Sequence, residues 1–293
     1  MKELTSGQYE VTNRKAILIQ LLCQLKETDR LRLFKLSFLL GHNLNGFFDF
    51  VPYKYGPYSF LMDYEIRKLI EKNIIRENAN RLTFNEAYSA SCSELNSSAI
   101  IEHLCLKYAS MPTQDLINYV YSRYPYYAQN SLIADSKYVL EQENAPLAIY
   151  TLGYEGISID QFLNILIKNK IKYVIDVRNN PFSYKYGFSK NWLAKFLPEF
   201  KINYKNLPGL GILKTYRKEL TGNDLWNKYL ELIDSYQMQE AIDILTYIPS
   251  VMICFESNIE NCHRRILSNE IKNNIGLPIF DFNQESGTWI KRL

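Results

Sequence analysis

The chain has 293 residues, of which 47% are hydrophobic and 22% charged, a balance typical of a soluble globular protein with one large core or two moderate ones. It contains no run of about 18 apolar residues, and its start lacks the apolar segment of a signal peptide, so we expect a cytoplasmic protein with no membrane partner. The formal net charge of +3 is too small to indicate a nucleic-acid-binding protein, so any such surface must be a local patch.

The first part of the chain predicts three helices followed by a hairpin. Apolar residues recur at helical spacing over 14–26, 31–41 and 60–73, and Ser59 is placed to cap the third helix. The stretch IIRENANRLTF then alternates apolar and polar residues around a turn, which predicts two short strands. This element order predicts a mainly helical, winged-helix-like domain over residues 1–95.

A helical connector is predicted over 96–146, with Pro112 and Pro125 at helix starts or breaks. From residue 147 onward, strands alternate with helices. The five predicted strands are LAIYTLGY, YVIDVR, INYKNL, VMICFE and LPIFDF. This alternation predicts an α/β domain over 147–293, with a mostly parallel five-stranded sheet and helices on both faces.

Polar side chains follow three of these strands, where ligands bind in parallel sheets. Asp176 or Glu256 is placed to act as a general acid or base, and Arg178 and Arg264 to hold a phosphate. A plain ion pair between Asp176 and an arginine, bracing two loops, is the alternative. The predicted site comprises catalytic Asp176, Glu256 and Cys262, with Tyr154, Arg178, Ser183, His263 and Arg264 binding substrate or an anion.

The Cys262-His263-Arg264 run has three interpretations. A helix that begins at Asn261 or Cys262 would favour an anion at its N-terminus. The same position would lower the pKa of the Cys262 thiol and make it a candidate nucleophile. Cys254, Cys262 and His263 also offer three metal ligands, but no fourth is obvious, so we predict no metal site.

Other cofactors and disulfides are not expected either. No glycine-rich dinucleotide fingerprint follows the first strand of the second half, and no Walker-type lysine loop is present, which disfavours nicotinamide and ATP chemistry. We therefore expect no cofactor. The five cysteines are scattered along the chain, which predicts reduced thiols.

Four motifs in the second half resemble a known family. They are YTLGYEG at 150–156, DVRNNPFS at 176–183, INYKNLPGLG at 202–211 and CFESNIENCHR at 254–264. Together they resemble the family called domain of unknown function 488, over roughly residues 148–283. The resemblance implies a parallel α/β fold and marks the strand-end residues as family-pattern positions, but it implies no established reaction.

The first half carries a shorter resemblance. FDFVPYKYGPYS resembles an element of the Panacea and SocA-like antitoxin domains, which have winged-helix character. A tight turn at Gly56-Pro57 and the Ser59 cap explain the same residues structurally. The basic residues of the third helix and hairpin likewise have two interpretations. They form either a surface that contacts nucleic acid or an ordinary solvated helical face. The residues in question are Lys54, Arg67, Lys68, Lys72 and Arg81.

Three functions remain open from the sequence. The first is an enzyme of hydrolytic or transfer chemistry that acts on a nucleotide or nucleic acid. The second is a non-catalytic sensor of nucleotides or nucleic acid, antitoxin-like or part of phage defence. The third is an adaptor whose tyrosine-rich first half binds a protein partner. Asp176→Asn should abolish turnover but keep affinity in an enzyme, whereas a sensor should depend mainly on Arg178 and Arg264.

Overall fold

The computed structural model describes residues 9–10, 14–42, 44–45, 47–92, 98–134 and 145–292. The chain divides into two compact units, Met1–Glu141 and Gln142–Leu293, called here unit 1 and unit 2. Parts of the predicted 96–146 connector lie outside the described residues. None of the described helices combines the length and the apolar composition needed to cross a membrane.

Unit 1 is mainly helical, as predicted. Its helices are α1 (Arg14–Leu25), α2 (Arg30–Gly41), α3 (Phe60–Glu71), α4 (Ser98–Tyr108) and α5 (Thr113–Arg123). Its strands are β1 (Tyr9–Glu10), β2 (Glu27–Asp29), β3 (Leu44–Asn45), β4 (Val51–Tyr53), β5 (Gly56–Tyr58), β6 (Ile75–Asn78) and β7 (Arg81–Phe84). The predicted hairpin is β6 and β7, and β2 extends it to a three-stranded sheet that the sequence did not predict.

Local sequence explains where these helices begin. The Ser59 hydroxyl accepts a hydrogen bond from the backbone N–H of Met62 at 3.2 Å, which confirms the predicted cap of α3. Asp29 caps α2 in the same way at 2.8 Å. Side chains of α4 and α5, such as Leu104 and Val120, are buried in the same core as those of α1 to α3.

Lys35 of α2 is a charged side chain inside this core. It is 1% exposed, and it donates a hydrogen bond to the backbone carbonyl of Tyr55. Its ammonium lies 5.0 Å from the centroid of the Tyr121 ring. Burial lowers the pKa of Lys35 to about 7.

We expect the stability of unit 1 to rise from pH 7 to pH 9. The pKa of Lys35 is lower in the folded than in the unfolded state, so between about pH 7 and pH 10.5 the unfolded chain binds more protons than the folded chain. Raising the pH in this range therefore favours folding. The gain over these two pH units is about 2 kcal/mol. Lys35→Met should flatten the dependence, measured by urea unfolding followed by far-UV circular dichroism.

Lys107→Met is the matched control, because Lys107 is an exposed lysine that lies over a tyrosine ring. It should keep the pH dependence of the wild type. An unchanged pH slope in Lys35→Met would show that the folded protein does not hold this lysine at a lowered pKa.

Unit 2 alternates strands and helices, as predicted. Its strands are β8 (Ile149–Gly153), β9 (Tyr173–Asp176), β10 (Asn203–Asn206), β11 (Ser250–Cys254), β12 (Ile279–Asn283) and β13 (Thr288–Lys291). Its helices are α6 (Ile159–Lys168), α7 (Lys190–Phe196), α8 (Lys214–Glu219), α9 (Gly222–Leu232), α10 (Ser235–Tyr247) and α11 (Arg264–Ile275).

The sheet of unit 2 has the strand order β10-β9-β11-β8-β12-β13 and is flanked by helices. The first five strands in this order are mutually parallel, which confirms the predicted mostly parallel sheet. The sixth, β13, pairs antiparallel with β12 and was not predicted. It is a short edge strand with only partly buried or exposed side chains, so it lacks the apolar run that identifies the buried strands.

This strand order fixes where a ligand can enter. The chain runs from β8 across to β9 in one direction and from β11 across to β12 in the other, so β8 and β11 lie side by side at the point of reversal. Every residue of both strands is buried. In open parallel sheets, ligands bind at the carboxyl ends of the two strands that flank such a point.

Candidate functional site

The carboxyl ends of β8 and β11 meet at Gly153 and Cys254, which are paired in the sheet. The loop after β11 crosses directly over Gly153. A Cβ atom at this glycine would lie 1.8 Å from the carbonyl oxygen of Glu256. Glycine is therefore required here, because its backbone lets the loop close down onto the end of the strand.

Four reactive side chains converge in this loop, and we call them the thiol cluster: Cys254, Glu256, Cys262 and His263. Their ligand atoms all lie within 4.8 Å of one another. Oε2 of Glu256 lies 3.0 Å from Sγ of Cys254 and 3.2 Å from Sγ of Cys262. Nδ1 of His263 lies 3.9 Å from each sulfur. The cysteines and the histidine are buried, and Glu256 is partly exposed.

The backbone fixes the orientation of the His263 ring. Nε2 lies 3.0 Å from the carbonyl oxygen of Val177, at the end of β9. A carbonyl only accepts hydrogen bonds, so Nε2 carries the proton in the neutral ring and Nδ1 has a lone pair on the side of the sulfurs and of Nη2 of Arg217.

Arg264 is a buried structural side chain, not the exposed phosphate clamp that we expected. It is 1% exposed and donates hydrogen bonds to Sγ of Cys262, the Thr151 hydroxyl and the carbonyl oxygen of Glu256. Helix α11 starts at Arg264, later than predicted, with His263 as its N-cap residue. The guanidinium therefore braces the loop against β8 and places a positive charge beside a thiol.

The two thiols have different acidities. Burial opposes ionisation of Cys262, but the hydrogen bond from Cys254 and the positive charge of Arg264 lower its pKa well below the usual value. The hydrogen bond to Cys262 and burial together raise the pKa of Cys254. Cys262 is thus the more acidic thiol, and the groups that lower its pKa are Cys254, Arg264 and His263, whereas the sequence pointed to the start of a helix. Its role as a nucleophile stays a prediction.

Arg217 of α8 completes the site, and the sequence did not indicate it. It forms an ion pair with Oε1 of Glu256, and its Nη2 lies 3.2 Å from Nδ1 of His263. Its side chain is 36% exposed. Arg217 comes from a helix 39 residues before Glu256 with an ordinary basic composition, so no local pattern distinguished it.

Asp176 and Arg178 form a buried bidentate ion pair at the end of β9. Nε and Nη2 of Arg178 donate to the two carboxylate oxygens at 2.8 and 2.5 Å. The hydroxyl of Tyr204 donates to Oδ2 at 2.6 Å, and Asp176 is 0% exposed. This ion pair is the bracing arrangement that was the alternative to a catalytic Asp176.

The remaining residues predicted after β8 and β9 lie beside this ion pair. The hydroxyl of Tyr154 accepts a hydrogen bond from Nη1 of Arg178 at 2.6 Å, and its ring stacks on Phe188 with centroids 4.2 Å apart. The Ser183 hydroxyl accepts from the backbone N–H of Lys185 at 3.2 Å. The predicted rim residues thus separate into this Asp176 network and the thiol cluster, which are linked where His263 binds Val177.

The basic residues predicted to contact nucleic acid lie on the surface of unit 1. Arg67 and Lys68 of α3 form ion pairs with Asp63 and Glu71, and Arg81 of β7 pairs with Glu27. Lys72 is the exposed C-cap residue of α3, and Lys54 lies in the turn between β4 and β5 with its ammonium 5.3 Å from the centroid of the Tyr53 ring. Their role in binding stays a prediction.

Unit 2 is thus a parallel α/β domain with a thiol, carboxylate and imidazole cluster at its strand-reversal point. Residues 158–271 match the family model described as Domain of unknown function DUF488, which confirms the resemblance over this range. The match covers less than half of the chain. No curated protein and no solved structure matches the chain. The resemblance of the first half to antitoxin domains stays a prediction.

Proposed function

We propose that the protein is an enzyme that performs hydrolytic or transfer chemistry on a nucleotide or nucleic acid at the carboxyl edge of the unit 2 sheet. The observation that carries this proposal is the convergence of the thiol cluster with Arg217. Groups that move protons or attack an electrophile meet there beside the partly exposed cation of Arg217, at the point where parallel sheets bind ligands.

The accessible members of the site suggest separate roles. Arg217 can turn its guanidinium from Glu256 to a phosphate, because its side chain is 36% exposed. Glu256, 18% exposed, is the carboxylate placed to accept a proton once Arg217 engages the substrate. Asp176 is a weaker candidate for this step, because both of its oxygens are already bound by buried partners.

Exposed aromatic side chains at the same edge support the substrate class. Phe182 and Tyr184 follow β9 and are 62% and 97% exposed, and Phe255 follows β11 and is 45% exposed. Nucleobases stack on such rings without regard to sequence. The neighbouring helix α8 carries Lys214 and Lys218 beside Arg217, which favours an anionic backbone or phosphate tail.

A non-catalytic sensor is the second candidate. It is favoured because Asp176 and Arg178 are bound to each other, so one predicted acid and one predicted phosphate ligand are unavailable. In such a protein, the thiol cluster would hold the loop and Arg217 would bind the anion. The exposed basic residues of α3 and β7 would then contact nucleic acid, as in an antitoxin or phage-defence component.

The test compares wild type with Glu256→Gln and Arg217→Ala. Each protein is incubated with nucleotides, single-stranded and duplex DNA, and RNA, and the products are identified by mass spectrometry. Retention of each component is measured in parallel. In an enzyme, Glu256→Gln should lower turnover by about 100-fold or more while retention persists, and Arg217→Ala should weaken both.

Two exposed side chains outside the proposed substrate surface provide controls. Glu260→Gln removes a carboxylate on the loop after β11 that forms an ion pair with Arg265, and Lys228→Ala removes a cation of α9 that pairs with Glu231. Both should behave as wild type. If a component is retained but no product forms, the result would contradict the proposed enzyme and support the sensor. Neither retention nor product, with a tightly co-purifying protein, would favour the adaptor.

A further inference from the structure

We propose that Cys254, Glu256, Cys262 and His263 form a binding site for a zinc-class divalent metal ion. The sequence offered only three ligands and no obvious fourth. The structure supplies the fourth, because the loop after β11 folds the Glu256 carboxylate back between the two sulfurs. The proposal concerns metal binding and does not depend on turnover of any substrate.

The spacing of the four groups fits one tetrahedral ion. Zinc to sulfur bonds of about 2.3 Å and zinc to nitrogen or oxygen bonds of about 2.0 to 2.1 Å place neighbouring ligand atoms about 3.5 Å apart. The sulfur–oxygen distances are 3.0 and 3.2 Å, and both sulfur–nitrogen distances are 3.9 Å, so these four pairs bracket the required spacing. All ligand atoms lie within 4.8 Å of one another, so binding one ion would draw the widest pair together by up to about 1.3 Å.

The surroundings of His263 are those of a metal-binding histidine. Such a ligand commonly donates its second ring N–H to a backbone carbonyl or carboxylate, which fixes the tautomer and aims the free lone pair at the ion. Here the carbonyl of Val177 receives Nε2–H at 3.0 Å, and Nδ1 lies 3.9 Å from both sulfurs. Nη2 of Arg217 lies 3.2 Å from the same Nδ1, and a bound ion would replace this contact. The ring is 1% exposed, so this orientation is held by packing as well.

The cysteine and carboxylate ligands also have outer partners. Nε of Arg264 donates to Sγ of Cys262 at 3.2 Å, and Arg217 binds the Glu256 oxygen that does not face the sulfurs. Hydrogen bonds of this kind orient ligands and stabilise their charged forms. Two thiolates and one carboxylate carry three negative charges, which the four positive charges of two arginines and a divalent ion more than offset.

Ligand chemistry selects the class of metal. Two thiolates and an imidazole suit zinc and disfavour magnesium and calcium, which prefer oxygen ligands. Glu256 is the partly exposed ligand of the four, so it is the one that water or a substrate atom can replace. A site with one exchangeable position is the arrangement in which zinc acts in catalysis.

The experiment uses the full chain, kept reduced, incubated with Zn²⁺ and freed of excess metal by buffer exchange. Elemental analysis should find about one zinc ion per chain. Replacement by Co²⁺ should give the visible absorption of a tetrahedral site and the near-ultraviolet charge-transfer band of cobalt–thiolate bonds. The band tests the ligands in the wild type, without any variant that could fail to fold.

Variants then assign the ligands. Cys262→Ser, Cys254→Ser and His263→Gln should each weaken Zn²⁺ affinity by about 100-fold or more, measured by competition with a chromophoric chelator. Cys105→Ser and Cys23→Ser are the matched controls, because both cysteines lie in helices of unit 1, whereas all four ligands belong to unit 2. Both should retain wild-type affinity.

Several results would overturn the proposal: wild type that keeps no zinc after buffer exchange, Co²⁺-loaded protein without a thiolate band, or folded Cys262→Ser with undiminished affinity. The outcome is separate from that of the proposed function. Zinc binding without turnover would support the metal site and contradict the proposed enzyme. Turnover by wild type that binds no zinc would support the enzyme and contradict the metal site.

Discussion

Asp176→Asn is expected to destabilise unit 2 by about 3–5 kcal/mol. The substitution keeps the shape of the side chain but leaves the Arg178 guanidinium, which is 5% exposed, without its counter-charge. A buried charge without a partner is strongly unfavourable. Unfolding in denaturant, followed by tryptophan fluorescence, measures the effect on unit 2 because all three tryptophans lie there.

Two further variants separate a lost ion pair from a general effect of losing a carboxylate. Asp243→Asn alters an exposed aspartate of α10 and should change stability by no more than about 0.5 kcal/mol. Adding Arg178→Met to Asp176→Asn removes the unpaired charge, so the double variant should be more stable than Asp176→Asn alone. An Asp176→Asn protein with wild-type stability and no activity would instead support the predicted catalytic role.

Gly153→Ala is expected to destabilise unit 2 by about 3 kcal/mol or more and to disrupt the thiol cluster. The new methyl group would lie 1.8 Å from the carbonyl oxygen and 2.5 Å from the carbonyl carbon of Glu256. These atoms belong to the backbone, so no side chain can rotate away to make room. The loop must lift, which breaks the hydrogen bond from Arg264 to that oxygen.

Gly276→Ala is the control for Gly153→Ala. Gly276 has a φ of +70° at the end of α11, and a Cβ atom there would have nothing within 4 Å, so alanine adds only backbone strain of about 1 kcal/mol. Metal retention by Gly276→Ala should match wild type, while Gly153→Ala should lose it. Equal stability of the two variants would mean that the loop after β11 does not rest on Gly153.

The parallel sheet was predictable because its strands follow simple rules. Strands β8 and β11 are buried along their whole length, so they appear in the sequence as short apolar runs between helical stretches. Strand β2, with the sequence ETD, and the edge strand β13 carry no such signal. They form because a neighbouring strand leaves backbone groups to pair with, which is a tertiary effect.

The location of the site was predictable from the sequence, but which of its side chains bind each other was not. Strand-end reasoning placed Asp176 and Glu256 at one edge, yet it did not show that Asp176 is bound on both oxygens while Glu256 lies between two sulfurs. It also missed Arg217, whose contact with Glu256 depends on the path of the chain between β10 and α10. Strand-end patterns indicate candidate residues, and three-dimensional packing decides which of them remain accessible.

All four members of the thiol cluster come from the ten residues between Cys254 and His263. Closing so short a loop has a small entropic cost, so these ligands can gather around a cation even in the unfolded chain. Affinity for the unfolded chain reduces how far metal raises the melting temperature. Folding then adds outer partners from distant parts of the chain, such as the carbonyl of Val177, 86 residues away, which aligns the imidazole. Chelation in this loop can therefore precede formation of the sheet, with the histidine locking into place last.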